Sequence, residues 1–390
     1  MRIRTSTLPT KNADQSKIEP VAVQSMVEPL HTTVNRKSSI SRDNRLDRGD
    51  PGGSGAKHRP RRIIALAAML ALCLIWSGCV GPSPTPPPPH ISGLNDYIAG
   101  AQAYDAGDTE RATALLQDAV EANPQLTMAH QLLGDLYRKQ RDYRRAIDQY
   151  RAAALLDPYG YKNQYDLAVT YQFLDRLEDA VAAYLQALRL SPMDMNSHMN
   201  LGLVYLALGR MDASLAQLKK ATEISPDSSS AWCNYGVALD ADAQWSKAER
   251  AYERALELNP DQPIALMNLG VNLLQQGEIR EAEPVLALAA RKLDTPAAHQ
   301  RYGDVLVLEH RDSDALIQYR IALQRDPQYW PAMNQIGLIL VRKYEAGMTL
   351  DEDLRLQAVS IWKQSLALRP DQPRIRQWVM KWDQGGKLVP

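Results

Sequence analysis

Prolines recur at one fixed interval along this chain and divide it into segments of equal length. The interval is 34 residues, kept at Pro124, Pro158, Pro192, Pro226 and Pro260. A period of roughly 20–50 residues is typical of arrays in which one small unit stacks on the next. The chain has 390 residues, more than one hydrophobic core usually fills, and this also favours an array.

The residues inside one segment indicate which unit is repeated. Large and small residues alternate in the fifth segment, at Trp232, Tyr235, Gly236, Ala248, Tyr252, Ala255 and Pro260. This pattern resembles the tetratricopeptide repeat (TPR) family, and the resemblance covers residues 92–370. It implies units of two antiparallel helices that approach closely at Gly and Ala and end at Pro. We therefore expect an all-α superhelical solenoid whose first helices line a concave groove.

The spacing predicts about eight repeats over residues 93–370 and a capping helix within residues 371–390. An open array needs a last helix with only one apolar face. Such a face is predicted by the i, i+3, i+4, i+7 spacing of Ile375, Trp378, Val379 and Trp382. In the sixth unit, Pro284 falls inside the second helix, and one residue is missing before the seventh unit. Together they predict a bend near residues 284–296.

The N-terminal part has a different character. Residues 1–58 are polar and lack apolar periodicity, which predicts disorder and indicates a translation start downstream of Met1. Residues 59–79 combine a basic stretch, an apolar run from Ile63 to Trp76, and a Ser-Gly-Cys ending. Residues 80–92 are rich in Pro and predict a stiff, extended linker.

The Ser-Gly-Cys ending resembles the lipobox of bacterial lipoproteins. This resemblance implies that Cys79 is lipidated and becomes the mature N-terminus. The alternative is an uncleaved N-terminal membrane anchor. Val80 after the Cys favours, by the same resemblance, an outer-membrane lipoprotein facing the periplasm. The uncleaved anchor would instead hold a periplasmic array at the inner membrane.

Composition argues against several functions. Residues 1–62 carry 13 Lys and Arg against 6 Asp and Glu, which leaves 32 against 39 beyond them and a net charge of −7. A mildly acidic body argues against nucleic acid as a partner. The chain lacks P-loop, G-x-S-x-G, H-E-x-x-H and Rossmann motifs. We therefore expect no enzymatic activity and no cofactor.

Possible metal ligands are also scattered. The three cysteines, at positions 73, 79 and 233, have no C-x-x-C spacing. His130, His198 and His299 occupy the Trp position of separate units, too far apart to share a metal. We expect packing histidines, and we expect Cys233 to be a small apolar residue.

The groove is predicted from residues close to each repeat glycine. Apolar side chains surround the glycines of units four to six, at Met199, Leu203, Val237, Met267 and Val271. Charged side chains stand nearer the ends, at Asp135, Arg138 and Lys139 in unit two and at Arg301 and Asp304 in unit seven. The predicted groove is thus apolar in its middle and charged towards both ends.

An Asn stands two residues before the glycine in three successive units, at Asn200, Asn234 and Asn268. This series resembles the asparagine ladder of O-linked N-acetylglucosamine transferase, whose TPR groove holds the backbone of an extended peptide. An amide suits that task because it donates and accepts hydrogen bonds at once. The alternative is a local hydrogen bond between neighbouring helices.

The resemblances imply a non-enzymatic scaffold in the bacterial envelope that binds protein partners or extended peptides. Similar TPR lipoproteins serve pilus assembly, secretion and exopolysaccharide export. The alternative is an accessory subunit of an envelope enzyme, such as a glycosyltransferase or a peptidoglycan hydrolase.

Overall fold

A computed structural model describes residues 93–347 and 351–383. These residues form 17 α-helices, arranged as eight antiparallel pairs and one final helix. The first helices of the pairs are α1 (Leu94–Asp105), α3 (Thr127–Lys139), α5 (Tyr161–Phe173), α7 (Met195–Ala207), α9 (Ser229–Ala241), α11 (Pro263–Gln276), α13 (Pro296–Leu308) and α15 (Trp330–Ala346). The second helices are α2 (Thr109–Ala122), α4 (Tyr143–Leu156), α6 (Leu177–Leu190), α8 (Met211–Ile224), α10 (Trp245–Leu258), α12 (Ile279–Leu293), α14 (Asp312–Arg325) and α16 (Glu352–Leu368). The predicted all-α repeat solenoid is confirmed.

Each pair is held by a small residue on the first helix and a large one on the second. The large residue follows 16 residues later in units one to seven, as in Gly236 and Tyr252. A Cβ atom at Gly236 would lie 2.6 Å from the Tyr252 ring, so glycine allows this approach. The large residue is Leu in units one, four and six, Tyr in units two, three, five and seven, and Trp362 in unit eight.

The turn inside each of the first seven pairs contains a residue in the left-handed conformation. Glycine fills this position in units one, four and six. Units two, three, five and seven place other residues there, at Arg141, Asp175, Ala243 and His310. A residue with a Cβ atom is strained in this conformation. Four of the turns therefore form because the packing of the two helices outweighs the conformational free energy that a left-handed residue with a Cβ atom costs.

The array ends on α17 (Pro373–Asp383), which buries Ile375 and Trp382 and keeps Trp378 and Val379 half-buried. The Trp382 ring meets Tyr344 edge-on at 6.0 Å, and Trp378 lies 5.5 Å from Trp362. The capping helix predicted from the spacing is confirmed.

The junction between units six and seven differs from the other junctions between pairs. Two residues, Asp294 and Thr295, connect α12 to α13, where the other connections have four. Asp294 takes a left-handed conformation, and the Thr295 hydroxyl caps the start of α13. Helix α12 is continuous through Pro284, and the bend near this site stays a prediction.

No helix in residues 93–347 or 351–383 combines the length and apolar character needed to cross a membrane. The lipobox with Cys79, the apolar run from Ile63 to Trp76 and the Pro-rich linker all lie outside the described residues.

We predict that Ala243→Gly stabilises the protein. Ala243 has a φ of 55°, which costs an L-residue about 1–2 kcal/mol, and the gain is reduced by the greater freedom of glycine in the unfolded chain. The expected increase in the free energy of unfolding is about 1 kcal/mol, measured by denaturant titration. Ala106→Gly is the control, because Ala106 ends α1 with an ordinary φ of −74° and should gain nothing. Equal effects of the two substitutions would contradict the strain at Ala243.

Candidate functional site

The first helices of units four to six present a mostly apolar surface. Helices α7, α9 and α11 contact one another in order, and each carries a stripe with i, i+4, i+7 spacing. We call this surface the central first-helix face; its residues are Met199, Leu203, Leu206, Cys233, Val237, Asp240, Met267, Val271 and Leu274. Leu203, Cys233 and Met267 are buried between the helices, and the others are half-buried. The predicted apolar side chains therefore divide into a packed layer and an accessible layer.

The three asparagines lie beside this face but do not share one environment. Asn200 donates to the Tyr165 hydroxyl of unit three at 3.1 Å. Asn268 points its Nδ2 at the Cys233 sulfur of unit five, at 3.9 Å. Asn234 makes no side-chain hydrogen bond to another described residue. Two of the amides thus connect neighbouring first helices, and Asn234 keeps its hydrogen-bonding groups unused by the array.

Two of the charged residues predicted in unit two, Asp135 and Arg138, belong to a closed network. Asp135 accepts from the Tyr150 hydroxyl at 2.6 Å and from Arg138 at 3.3 Å. Lys162 of unit three is 2.5 Å from Asp166 and 3.7 Å from Asp135. Burial raises the pKa of Asp166, while the two cations oppose that shift. Two carboxylates and two cations balance here, so Asp135 and Arg138 already have partners within the array.

The remaining predicted charges also have contacts. Lys139 is exposed, and its ammonium lies 5.5 Å from the centre of the Tyr104 ring. In unit seven, Asp304 accepts from the Tyr319 hydroxyl at 2.8 Å and lies 3.6 Å from Arg301. The charged ends predicted for the groove are therefore largely neutralised by internal pairs.

In four units a buried tyrosine on the second helix is paired with a polar acceptor on the first helix. In units two, three, five and seven, its hydroxyl reaches an acceptor on the first helix, namely Asp135, Gln172, Asp240 and Asp304. Units four and six have Leu218 and Leu286 instead, and leucine offers no hydroxyl. The first helices of these two units are apolar at the corresponding positions. The hydrogen bond between the tyrosine hydroxyl and the first helix was not predicted from the sequence, although the alternation of Tyr and Leu at this position of the repeat is a signal for it.

Asp240 is the polar member of the central first-helix face, and its environment is unlike that of Asp135. It accepts from the Tyr252 hydroxyl at 2.7 Å and from the Asn272 amide at 2.5 Å. No Lys, Arg or His among the described residues lies within ion-pair distance of it. Burial is the main cause that raises the pKa of this carboxyl. Asp240 is not predictable as a site residue from the sequence, because a lone Asp in a helix gives no motif.

The histidines serve packing, as expected. His130, His198 and His299 each approach a Gln of the second helix, at 2.7–2.9 Å. Burial raises the pKa of the Cys233 thiol to about 12, which keeps it protonated and unreactive. Within the described ranges, no three His, Cys, Asp or Glu residues are placed to hold a metal ion.

Comparison with known proteins agrees with this architecture. The profile of the tetratricopeptide repeat family matches residues 100–161, 165–229, 236–291 and 270–329. No curated protein matches the chain.

Several solved structures are similar to parts of the chain. MamA from Desulfovibrio magneticus RS-1 is 17% identical, with 43% of this chain and 94% of that chain covered and a TM-score of 0.40. YrrB, described as a TPR protein with an unusual peptide-binding site, is 19% identical over 50% of this chain and 96% of its own, with a TM-score of 0.40. A repeat protein from Parabacteroides merdae ATCC 43184 is 15% identical, with coverage of 75% and 98% and a TM-score of 0.46.

We predict that the change in stability caused by Asp240→Asn is more favourable at neutral pH than at acid pH. Because the pKa of Asp240 is raised in the folded state, the folded carboxyl keeps its proton at pH values where the unfolded one has lost it. The stability of the wild type therefore falls as pH rises through that window, and the variant lacks this loss. Thermal melts at about pH 4 and about pH 7 measure the difference.

The control is Asp242→Asn, because Asp242 is exposed two residues further along the chain. Its melting temperature should follow the wild type at both pH values. An Asp240 variant whose stability differs from that of the wild type by the same amount at both pH values would contradict the raised pKa of the carboxyl.

Proposed function

Because the chain belongs to the tetratricopeptide repeat family and its array is a protein-interaction scaffold, we propose that the central first-helix face holds an extended, largely apolar segment of a partner protein. The observation that carries this proposal is the stripe of half-buried apolar side chains across three neighbouring first helices. We further propose that the protein acts without catalysis of its own.

The size of the face sets the length of the bound segment. Neighbouring helices pack about 10 Å apart, so three first helices span about 20 Å. An extended chain covers this distance with about six residues. Apolar side chains of the segment would contact Met199, Leu206, Val237, Val271 and Leu274, which are half-buried and offer free surface. Met adapts to partners of different shape, which suits a scaffold.

Asn234 supplies the backbone recognition in this proposal. It lies on the middle helix of the three and has no side-chain hydrogen bond to another described residue. Asn200 and Asn268 already contact Tyr165 and Cys233, so they mainly stabilise the stacking of the helices. Of the three asparagines that the sequence predicts to hold a peptide backbone, this proposal therefore keeps only Asn234.

We predict that Asn234→Ala weakens binding of an extended apolar peptide while leaving stability unchanged. One lost hydrogen bond should reduce affinity by about 0.5–1.5 kcal/mol, or roughly twofold to tenfold. The probe is a capped heptapeptide, Ser-Val-Leu-norleucine-Leu-Val-Ser, and fluorescence anisotropy gives its affinity. Asn200→Ala is the matched control: it should lower the melting temperature and keep the affinity of the folded fraction. Unchanged affinity in the Asn234 variant would remove this residue from the binding surface.

We also propose that the array is tethered to the periplasmic side of the outer membrane through lipidated Cys79. The support is the basic stretch, the short apolar run and the Ser-Gly-Cys ending of residues 59–79. The Pro-rich linker of residues 80–92 would hold the array away from the lipid surface.

The tether predicts that a palmitate analogue labels the wild type and does not label Cys79→Ser. Acylation at the thiol of residue 79 and cleavage before it would also give a mature protein without residues 1–78. Intact mass of the membrane-extracted protein checks this. A mass that includes residues 63–78 would contradict cleavage and favour an uncleaved anchor. Cys73→Ser is the matched control, since Cys73 lies inside the apolar run and should not affect labelling.

A further inference from the structure

One carboxylate interrupts the apolar stripes of the central first-helix face. On α7 the stripe ends at Leu206 and on α11 at Leu274, but on the middle helix α9 the same position is Asp240. Asp240 is half-buried and lies three residues after Val237, on the same side of the helix. A negative charge thus stands on the middle helix, between Leu206 and Leu274 at the C-terminal end of the stripes, on a surface that is otherwise apolar.

The neighbours of Asp240 orient the carboxylate but do not neutralise it. Tyr252 donates to Oδ2 and Asn272 donates to Oδ1, and both donors are uncharged. The other two carboxylates that accept from the second-helix tyrosine of their unit stand one residue after the repeat glycine instead of four, and both are paired: Asp135 lies near Arg138 and Lys162, and Asp304 near Arg301. A carboxylate has about four acceptor positions, so Asp240 can accept further hydrogen bonds after these two.

The charge of Asp240 carries a cost within the fold. Two donors, Tyr252 and Asn272, occupy its two oxygens, and this favours a carboxylate over an Asn, whose NH2 group would meet the Asn272 donor. The charge is nevertheless removed in part from water without a cation beside it. That cost is visible in the raised pKa of the carboxyl. A cationic group that arrives with a ligand would offset the cost and use the free acceptor positions.

We propose that Asp240 is a specificity-determining residue that receives a Lys or Arg side chain of the bound partner segment, with apolar side chains of that segment on either side. This inference rests on the function proposed above. A metal ion is a poorer occupant, because among the described residues no further ligands converge there. The partner segment is therefore apolar, about six residues long, with a basic residue near its middle.

Three capped heptapeptides test the proposal on the whole protein. They share the sequence Ser-Val-Leu-X-Leu-Val-Ser, in which X is Lys, norleucine or Glu. The wild type should bind the Lys peptide about tenfold more tightly than the norleucine peptide and should bind the Glu peptide most weakly, since the ion pair is only partly desolvated. The Lys preference should shrink at high salt.

Two variants test whether the preference for the Lys peptide depends on Asp240. Asp240→Asn should bind the Lys and norleucine peptides equally, and Asp242→Asn should keep the preference of the wild type, because Asp242 is exposed at the end of α9. If the wild type binds both peptides equally, the role of Asp240 is wrong and the scaffold function stands. If the wild type binds none of the peptides, the peptide-binding function fails and the inference fails with it. The wild-type comparison of the three peptides decides the question even where a variant does not fold.

Discussion

The contact between a small residue on the first helix and a large residue on the second is the interaction on which the rest of the array depends. Gly134 meets Tyr150, Gly202 meets Leu218, and Gly337 meets Trp362, each at a distance that leaves no room for a Cβ atom. This close approach sets the spacing of each pair. It holds the turns of units two and five closed despite a residue with left-handed backbone, at Arg141 and Ala243. The identity of the large residue also matters for the first helix. Where it is a tyrosine, the ring fills the contact and the hydroxyl reaches past the glycine or alanine to an acceptor on the first helix.

The period and the residue types were enough to predict the fold. The interval of the prolines, the glycines near the start of each unit and the one-sided helix at the end gave eight helix pairs and a cap, and the structure has both. These features lie close together in the sequence and recur in every unit, so the helix pair predicted for one unit supports the prediction for the next. The shortened connection at Asp294 could be located as a missing residue, but its left-handed backbone could not be foreseen.

The candidate site was predictable only in outline. The positions near each glycine predict an apolar centre with charges towards the ends, and the binding of a partner there stays a prediction. Whether a side chain is available depends on neighbours 12–35 residues away, and spacing within one unit does not contain that information. Asn200 and Asn234 occupy the same position of the repeat, yet among the described residues only Asn200 has a side-chain hydrogen-bond partner, because Tyr165 stands on the preceding first helix. Asp240 could not be predicted for the same reason. It differs from Asp135 and Asp304 in that no cation among the described residues lies near it, and this depends on neighbours that spacing within one unit does not reveal.

The pairing of a buried aromatic hydroxyl with an acceptor on the outer side has a consequence for how such a protein changes over evolutionary time. Recognition can be altered from the interior, since Leu218 and Leu286 have no exposed surface and offer no hydroxyl that could hold an acceptor on the first helices of units four and six. A lineage that exchanged one of these leucines for tyrosine would create a new anchoring point for a carboxylate or an amide without first altering any contact residue. Partner preference can therefore drift unit by unit through hidden mutations, while the scaffold keeps its dimensions.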